Sequence, residues 1–264
     1  MLLVLVLGAT PAHAGWVQAP GAYYLKLWDQ MLIGGQVFAR DGTKLELPES
    51  YQDHALRLYF EYGVDEALTV IVRGTPLGLA SYGGEATAYS GLMGVGLRAA
   101  LIRGELPIAL ELGYGWGPPL GKAPLAEGQV EGRRFVYRPT FEQHVGQVEL
   151  QIGWAFSALW MKAAGGLVVS SGEGIDPAAE ASFRLGTSTS FGLEADAGVV
   201  VHAPFADPRF IDVTGVGNTR YVGVAIGVGY WITNSFGVRL DLGLAPFAES
   251  NAATPSIGVG IQSH

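Results

Sequence analysis

The chain has 264 residues, a charged fraction of only 15% and a formal net charge of −8 at pH 7. That length fits one large all-β domain, and an acidic chain without a basic stripe offers nucleic acid no surface, so none is expected as a partner. With no cysteine, disulfides and thiolate chemistry are excluded.

Residues 1–14 read as a secretion signal. Leu2–Leu7 is its apolar core, Thr10-Pro11 breaks it, and Ala12-His13-Ala14 is a small-residue cleavage site that leaves Gly15 first in the mature chain. The usual positive start is missing, so the signal is either abbreviated or begins upstream; a buried N-terminal strand is the alternative. Beyond Ala14 no apolar run reaches the ~18–20 residues of a membrane helix. The mature chain is then either soluble and exported, or it crosses a membrane as strands that must close into a barrel, because lipid offers no partner to an open edge.

Twelve segments alternate large apolar residues with small or charged ones, the period of a strand. The first, about Ala22–Leu32, sets Tyr23, Leu25, Leu27 and Met31 against Lys26 and Gln30, and a long connection from Ile33 to Ser50 follows. The second, about Gln52–Tyr62, sets His54, Leu56, Leu58 and Phe60 against Asp53, Arg57 and Glu61, and Gly63–Glu66 turns it. The third runs from Leu68 to about Thr75, where Pro76 frays it; the fourth is Tyr89–Ile102 and the fifth Ile108–Trp116. The longest connection, Gly117–Thr140, carries the basic trio Arg133, Arg134 and Arg138. Strands follow at about Gln143–Ala155, Leu159–Val169, Glu180–Gly186 and Phe191–Val201. The plainest hairpin spans Tyr221–Ala245: Val222 to Ile232 alternate with glycine and alanine, Thr233-Asn234-Ser235 turns, and Phe236, Val238, Leu240, Leu242 and Leu244 alternate with Gly237, Arg239, Asp241 and Gly243. A loop, Pro246–Pro255, leads to the last strand, Ile257–Gln262.

Three regularities predict an up-and-down antiparallel transmembrane β-barrel of about 12 strands over residues 15–264, with short periplasmic turns and longer external loops. Connections alternate long and short. The even count brings both ends of the barrel to the periplasmic side. Aromatic residues gather at strand ends in two groups that read as interfacial girdles: Tyr62, Trp154, Phe156, Trp160, Tyr230, Trp231 and Phe236 by the short turns, and Tyr82, Tyr89, Tyr114, Trp116 and Tyr221 by the long loops. Ser190–Gly198 repeats the pattern of Ser235–Gly243 one hairpin earlier.

The side of the strands opposite the apolar one is expected to line the lumen. It carries seven bases (Lys26, Arg57, Arg73, Arg98, Lys162, Arg184, Arg239) and eight acids (Asp53, Glu61, Glu111, Glu149, Glu180, Glu194, Asp196, Asp241). These fit either a network of internal ion pairs, with Arg57–Glu61 and Arg239–Asp241 as same-strand neighbours, or a polar pore of mixed charge. Charges are expected to avoid the lipid side, where one at mid-bilayer costs about 2–4 kcal/mol. No G-x-S-x-G, H-E-x-x-H or phosphate-binding glycine loop is present. His54 and His144 share the lipid-side parity near the external rim, where an outer-membrane lipase would keep a base, and His202 with Glu194 and Asp196 would make a carboxylate–histidine site at a barrel mouth. Against these stands the plainer reading of rim histidines at headgroup level. The arginine trio would bind lipopolysaccharide phosphates, fold inward as a constriction, or lie solvated.

Two turn sequences, Tyr62-Gly63-Val64-Asp65-Glu66-Ala67-Leu68-Thr69-Val70 and Tyr230-Trp231-Ile232-Thr233-Asn234-Ser235-Phe236-Gly237-Val238, share an aromatic, small or apolar, Thr/Asp, apolar pattern. In this the chain resembles the proteobacterial outer-membrane barrel transporters of the phenol-degradation (meta-pathway) type and related exported barrels. The resemblance implies outer-membrane localisation and a passive channel or transporter for small molecules, with no enzymatic activity and no cofactor. It implies as partners the bilayer, lipopolysaccharide, the outer-membrane insertion machinery and a small-molecule cargo. The terminal aromatic residue usual in such barrels is absent from Ile261-Gln262-Ser263-His264. The alternatives are a hydrolase working at the external rim, a closed structural barrel with partner-binding loops, and a soluble exported β-sandwich.

Overall fold

The computed structural model describes residues 17–172, 175–214 and 218–264. The expected signal and its cleavage point between Ala14 and Gly15 lie outside the described residues. Twelve strands build the wall: β1 (Tyr23–Phe38), β2 (Lys44–Gly63), β3 (Leu68–Tyr82), β4 (Met93–Ile102), β5 (Ile108–Gly117), β6 (Gln143–Phe156), β7 (Leu159–Ser171), β8 (Ala178–Ser188), β9 (Leu193–Pro204), β10 (Arg220–Trp231), β11 (Phe236–Glu249) and β12 (Ser256–Ser263). Each pairs antiparallel with the next, and β1 closes on β12 with Leu25 opposite Ser263 and Leu32 opposite Ser256. The result is the closed up-and-down barrel that the period of two predicts, with every backbone edge paired within the wall. Short turns at 64–67, 103–107, 157–158, 189–192 and 232–235 gather at one end.

Outside, the wall is a continuous apolar surface that includes Val95, Leu112, Leu150, Phe183, Ile226, Leu240 and Val259, all exposed. A water-soluble monomer rarely shows an apolar patch of more than a few hundred Å²; acyl chains satisfy this one. Leu240, 44% exposed in the middle of β11, gives the direct test. Leu240→Arg is expected to cost about 2–4 kcal/mol, read as an earlier guanidinium midpoint for protein folded into lipid vesicles. An unchanged midpoint would mean that this face does not meet lipid.

The structure departs from the sequence reading in four places. First, strands run beyond the bilayer. Residues expected as the Ile33–Ser50 loop instead continue β1 and β2 as a hairpin above the rim, and Glu85–Tyr89 folds back as a short strand on β3. Second, Pro76 does not end β3. Leu56 pairs with Leu77 and Leu58 with Gly74, so β3 holds one extra residue, a bulge, and continues to Tyr82. β11 does the same at Ala245-Pro246 and runs on to Glu249, where a loop is predicted. Proline lacks the N–H that a ladder needs, so a bulge is where a strand tolerates it.

Third, Trp160 and Trp231 are not girdle residues. Each faces inward, opposite Gly186 and Gly237 respectively, and both line an internal cavity. Trp28 sits likewise opposite Gly260, where a Cβ would stand 2.4 Å from the Trp28 Cβ. Position near a strand end suggests a girdle, but parity decides the face. Tyr82, Tyr89 and Tyr221 also leave the outer surface: Tyr82 packs on Phe135, Tyr89 donates to Asp53 at 2.7 Å, and Tyr221 turns inward and stacks on His202. Fourth, one acid does face outward within the apolar band. Asp29 lies 3.3 Å from His54 Nδ1, with Leu27, Leu56 and Leu79 around them. Pairing reduces what a lone carboxylate there would cost.

Above the barrel the long loops form a cap with its own core. A hairpin, Ala126–Val130 with Arg133–Tyr137, is joined by Ile211–Asp212 into a small three-stranded sheet. Phe135, Tyr137, Ile211 and Val213 pack against Val37, Leu45, Leu47 and Tyr51 of the β1–β2 extension. Tyr137 also donates to the Gln52 carbonyl at 2.9 Å, and burial pushes its phenol well above the ordinary tyrosine range.

Candidate channel lumen

The inward positions of the strands carry the charges, and at the short-turn end these knit into a layer. Arg98 of β4 is its hub. Its Nη1 donates to Glu61 Oε1 at 2.6 Å, its Nε and Nη2 to Glu111 Oε2 at 3.1 and 3.0 Å, and its Nη2 to the Tyr59 hydroxyl at 3.1 Å. Arg98 and Glu111 are each 1% exposed. Arg73 lies 3.0 Å from Glu111 Oε1 and donates to Gln147 at 2.8 Å. Gln151 donates to both Glu111 and Glu149, which holds Glu149 at the edge of this group. Glu61 takes Arg98 and Gln18 as partners, the latter at 2.6 Å, so the expected Arg57–Glu61 pair does not form.

A second group stands on the facing wall. Arg239 bonds Asp196 and also donates to Asp241 at 2.8 Å, which realises the expected same-strand pair. Arg184 approaches Asp196 to 3.1 Å, and Lys26 reaches Asp241 at 2.6 Å across β12. Glu194 accepts from Gln262 at 3.2 Å. A Cβ on Gly227 would stand 1.8 Å from Arg239 Nη2, so glycine there is what lets the guanidinium lie across the wall. Lys162 sits between the groups, within the electrostatic reach of Arg98, Glu149, Glu111 and Glu61. Arg57 lies higher, near the middle of the barrel.

Three cavities stack along this inward face. A vestibule of 460 Å³ lies beneath the cap, among Tyr51, Tyr89, Tyr137, Phe141 and Tyr221. A mid-barrel cavity of 340 Å³ follows, then one of 230 Å³ at the short-turn end, with Gln18, Lys162, Trp160 and Trp231 in its wall. The N-terminal segment closes over that end: the Gln18 amide donates to Thr69 Oγ1 at 2.7 Å, and Gly21 N–H donates to the Gly63 carbonyl at 2.8 Å.

The histidines do not assemble a catalytic site. His202 is 2.8 Å from Glu180 and stacks on Tyr221, away from Glu194 and Asp196. His144 contacts the Tyr114 hydroxyl at 2.7 Å; Ser171, opposite it in register, touches its backbone amide rather than its ring. No cluster suited to a metal occurs among the described residues. Of the arginine trio, Arg133 and Arg134 stay solvated while pairing with Asp41 and Glu127, and Arg138 is buried on Asp212. Arg133 and Thr43 hold the Asp41 carboxyl well below the usual carboxylate range.

No protein-family model matches the chain, and no curated protein matches it. Solved structures do. An outer-membrane channel from Pseudomonas putida F1 superposes with a TM-score of 0.67 at 10% identity, covering 97% of this chain and 99% of that one. The NanC porin gives 0.58 at 7% identity, covering 91% and 99%. The KdgM porin, solved in complex with disordered oligogalacturonate, gives 0.51 at 6% identity, covering 91% and 98%. The fold is that of an outer-membrane β-barrel. Those three proteins are described as a channel and two porins. The barrel order, the closure and the outward apolar band are common to wall and pattern alike; the cap and the ionic layer are features of this chain that no short motif announced.

Proposed function

We propose that this barrel is a passive channel for small molecules across the outer membrane. One observation carries the reading. The vestibule and the mid-barrel cavity share Gln30, Arg57, Leu92, Val145 and Gln147 in their linings, so they form one passage from beneath the cap down to Tyr59. Tyr59, which donates to Glu61 and accepts from Arg98, is also in the wall of the lowest cavity and so stands between it and the mid-barrel cavity. Arg57, Glu61, Arg73, Lys162, Arg184, Glu194, Asp196 and Arg239 border the route, and Arg98, Glu111, Glu149 and Asp241 stand behind them as their ionic partners and neighbours. A lumen of that kind passes small solutes with little preference for ion sign. The tyrosine-rich vestibule and the turn sequences of phenol-pathway type support a cargo with an apolar body. Residues 1–14 act as the export signal, and the insertion machinery and lipopolysaccharide at the loop-side rim are the barrel's other partners.

The test is single-channel recording of the refolded chain Gly15–His264 in a planar bilayer, after heat-modifiable mobility has established folding. Discrete, reproducible, small steps are expected. Silence from correctly inserted protein would overturn the channel and favour a closed barrel whose cap meets a partner.

A further inference from the structure

The mid-barrel cavity differs in composition from the rest of the lumen. Its 340 Å³ are lined by two arginines, Arg57 and Arg73, and by no aspartate or glutamate, in a chain where acids outnumber bases by 24 to 16. The two arginines are not equivalent. Arg73 is already engaged by Glu111 and Gln147. Arg57 makes no ion pair among the described residues, and its Nε is buried without a hydrogen-bond partner. A buried donor without an acceptor is costly, and a guanidinium fork matches the two oxygens of a carboxylate.

The surroundings of Arg57 suit what would be attached to such a carboxylate. Trp28 is its register partner across β1 and β2, on the same inward side. Leu92 and Val145 complete an apolar border, while much of the remaining wall is glycine and leaves width. The acids that an entering anion meets in the vestibule are occupied. Asp53 accepts from Tyr89 at 2.7 Å, Glu180 is 2.8 Å from His202, and Asp176 is bonded to Asn218.

We infer that this cavity is a binding station for a small carboxylate carried on an apolar, ring-sized body, with the carboxylate on Arg57 and the body against Trp28, Leu92 and Val145. The inference rests on the channel reading for the route by which the ligand arrives. A neutral molecule of the same shape leaves Arg57 as unsatisfied as before, and so binds less well.

Benzoate is the probe and benzyl alcohol its neutral counterpart, titrated calorimetrically into the full mature chain in nanodiscs. Saturable benzoate binding is expected, weakened about tenfold or more by Arg57→Gln, the loss of one charge-assisted contact. Benzyl alcohol should bind at least as weakly as benzoate does to that variant, and the substitution should leave its binding unchanged. Arg57→Lys keeps the charge and loses the fork; it should fall between wild type and Arg57→Gln, and it carries the comparison should the glutamine variant not fold. Equal affinity for the two probes, or benzoate binding indifferent to residue 57, overturns the station. Calorimetry needs no current. A silent barrel that binds benzoate through Arg57 therefore removes the channel and keeps the site, whereas a conducting barrel whose binding ignores Arg57 does the reverse.

Discussion

Arg98→Ala is expected to destabilise the barrel by about 3–5 kcal/mol. The figure follows from what the substitution leaves behind. Arg98 bridges Glu61 and Glu111, and Glu111 is 1% exposed. Without it Glu111 keeps Arg73 and Glu61 keeps Gln18, but two carboxylates face each other with one strong counter-charge removed. Breaking a buried pair from one side is far costlier than replacing the whole pair with apolar groups, because the survivor stays charged and desolvated. Arg98→Lys should lose less, since it retains the charge but not the fork that reaches Glu61, Glu111 and Tyr59 together. Equilibrium unfolding from lipid vesicles measures both. A loss below about 1 kcal/mol, the range of solvated pairs, would mean that lumen water already solvates the layer and that Arg98 is not its keystone.

Phe135→Ala should act on the cap and leave the barrel alone. Phe135 is buried among Tyr82, Tyr137 and the apolar side chains of the β1–β2 extension. Truncating such a side chain removes about 3–5 kcal/mol of packing, a large share of what a three-stranded cap can have. Because the hairpin Ala126–Tyr137 is tied to the rest mainly through this core, its local opening free energy should fall with it. Hydrogen exchange in the hairpin amides should then quicken by about a hundredfold or more, with the exchange of wall strands such as β10 unaltered. Unchanged protection at 126–137 would show that the ion pairs of Arg133, Arg134 and Arg138 hold the cap without the core.

The wall was legible because lipid imposes an apolar rule on outward positions, which Asp29 alone breaks among the acids of the described band, and Val222–Ile232 and Phe236–Leu244 obey it throughout. Above the bilayer the rule lapses. Val37, Leu45 and Leu47 point into a core made by other loops, so their spacing carries no sign of the strand they sit on. The cap was hidden for the same reason: Phe135 and Tyr137 find partners more than fifty residues away in sequence, at Tyr51, Tyr82 and Val213. Which inward charges exist could be read from parity alone. Which of them meet could not. The Arg98–Glu61 and Lys26–Asp241 contacts skip a strand and depend on the registers of several pairings at once. Trp160 and Trp231 show the opposite error, where strict parity would have placed them inside and proximity to a turn suggested otherwise.

The bulges at Thr75-Pro76 and Ala245-Pro246 bear on how such a chain can change length over evolution. A wall strand behaves like text read in pairs, and adding or deleting one residue shifts the frame for everything beyond it. A single deletion at Val228 would put Ile226 and its even-numbered neighbours out of phase with Tyr230, and one at Val238 would exchange the faces of Arg239 and Asp241 and of the leucines interleaved with them. At Pro76 and Pro246 the extra residue is already present and the frame is restored: Leu77 and Phe247 face outward again. Odd-length variation among relatives of this barrel should therefore concentrate at those two kinks and in the loops, with the intervening strands changing composition but not count.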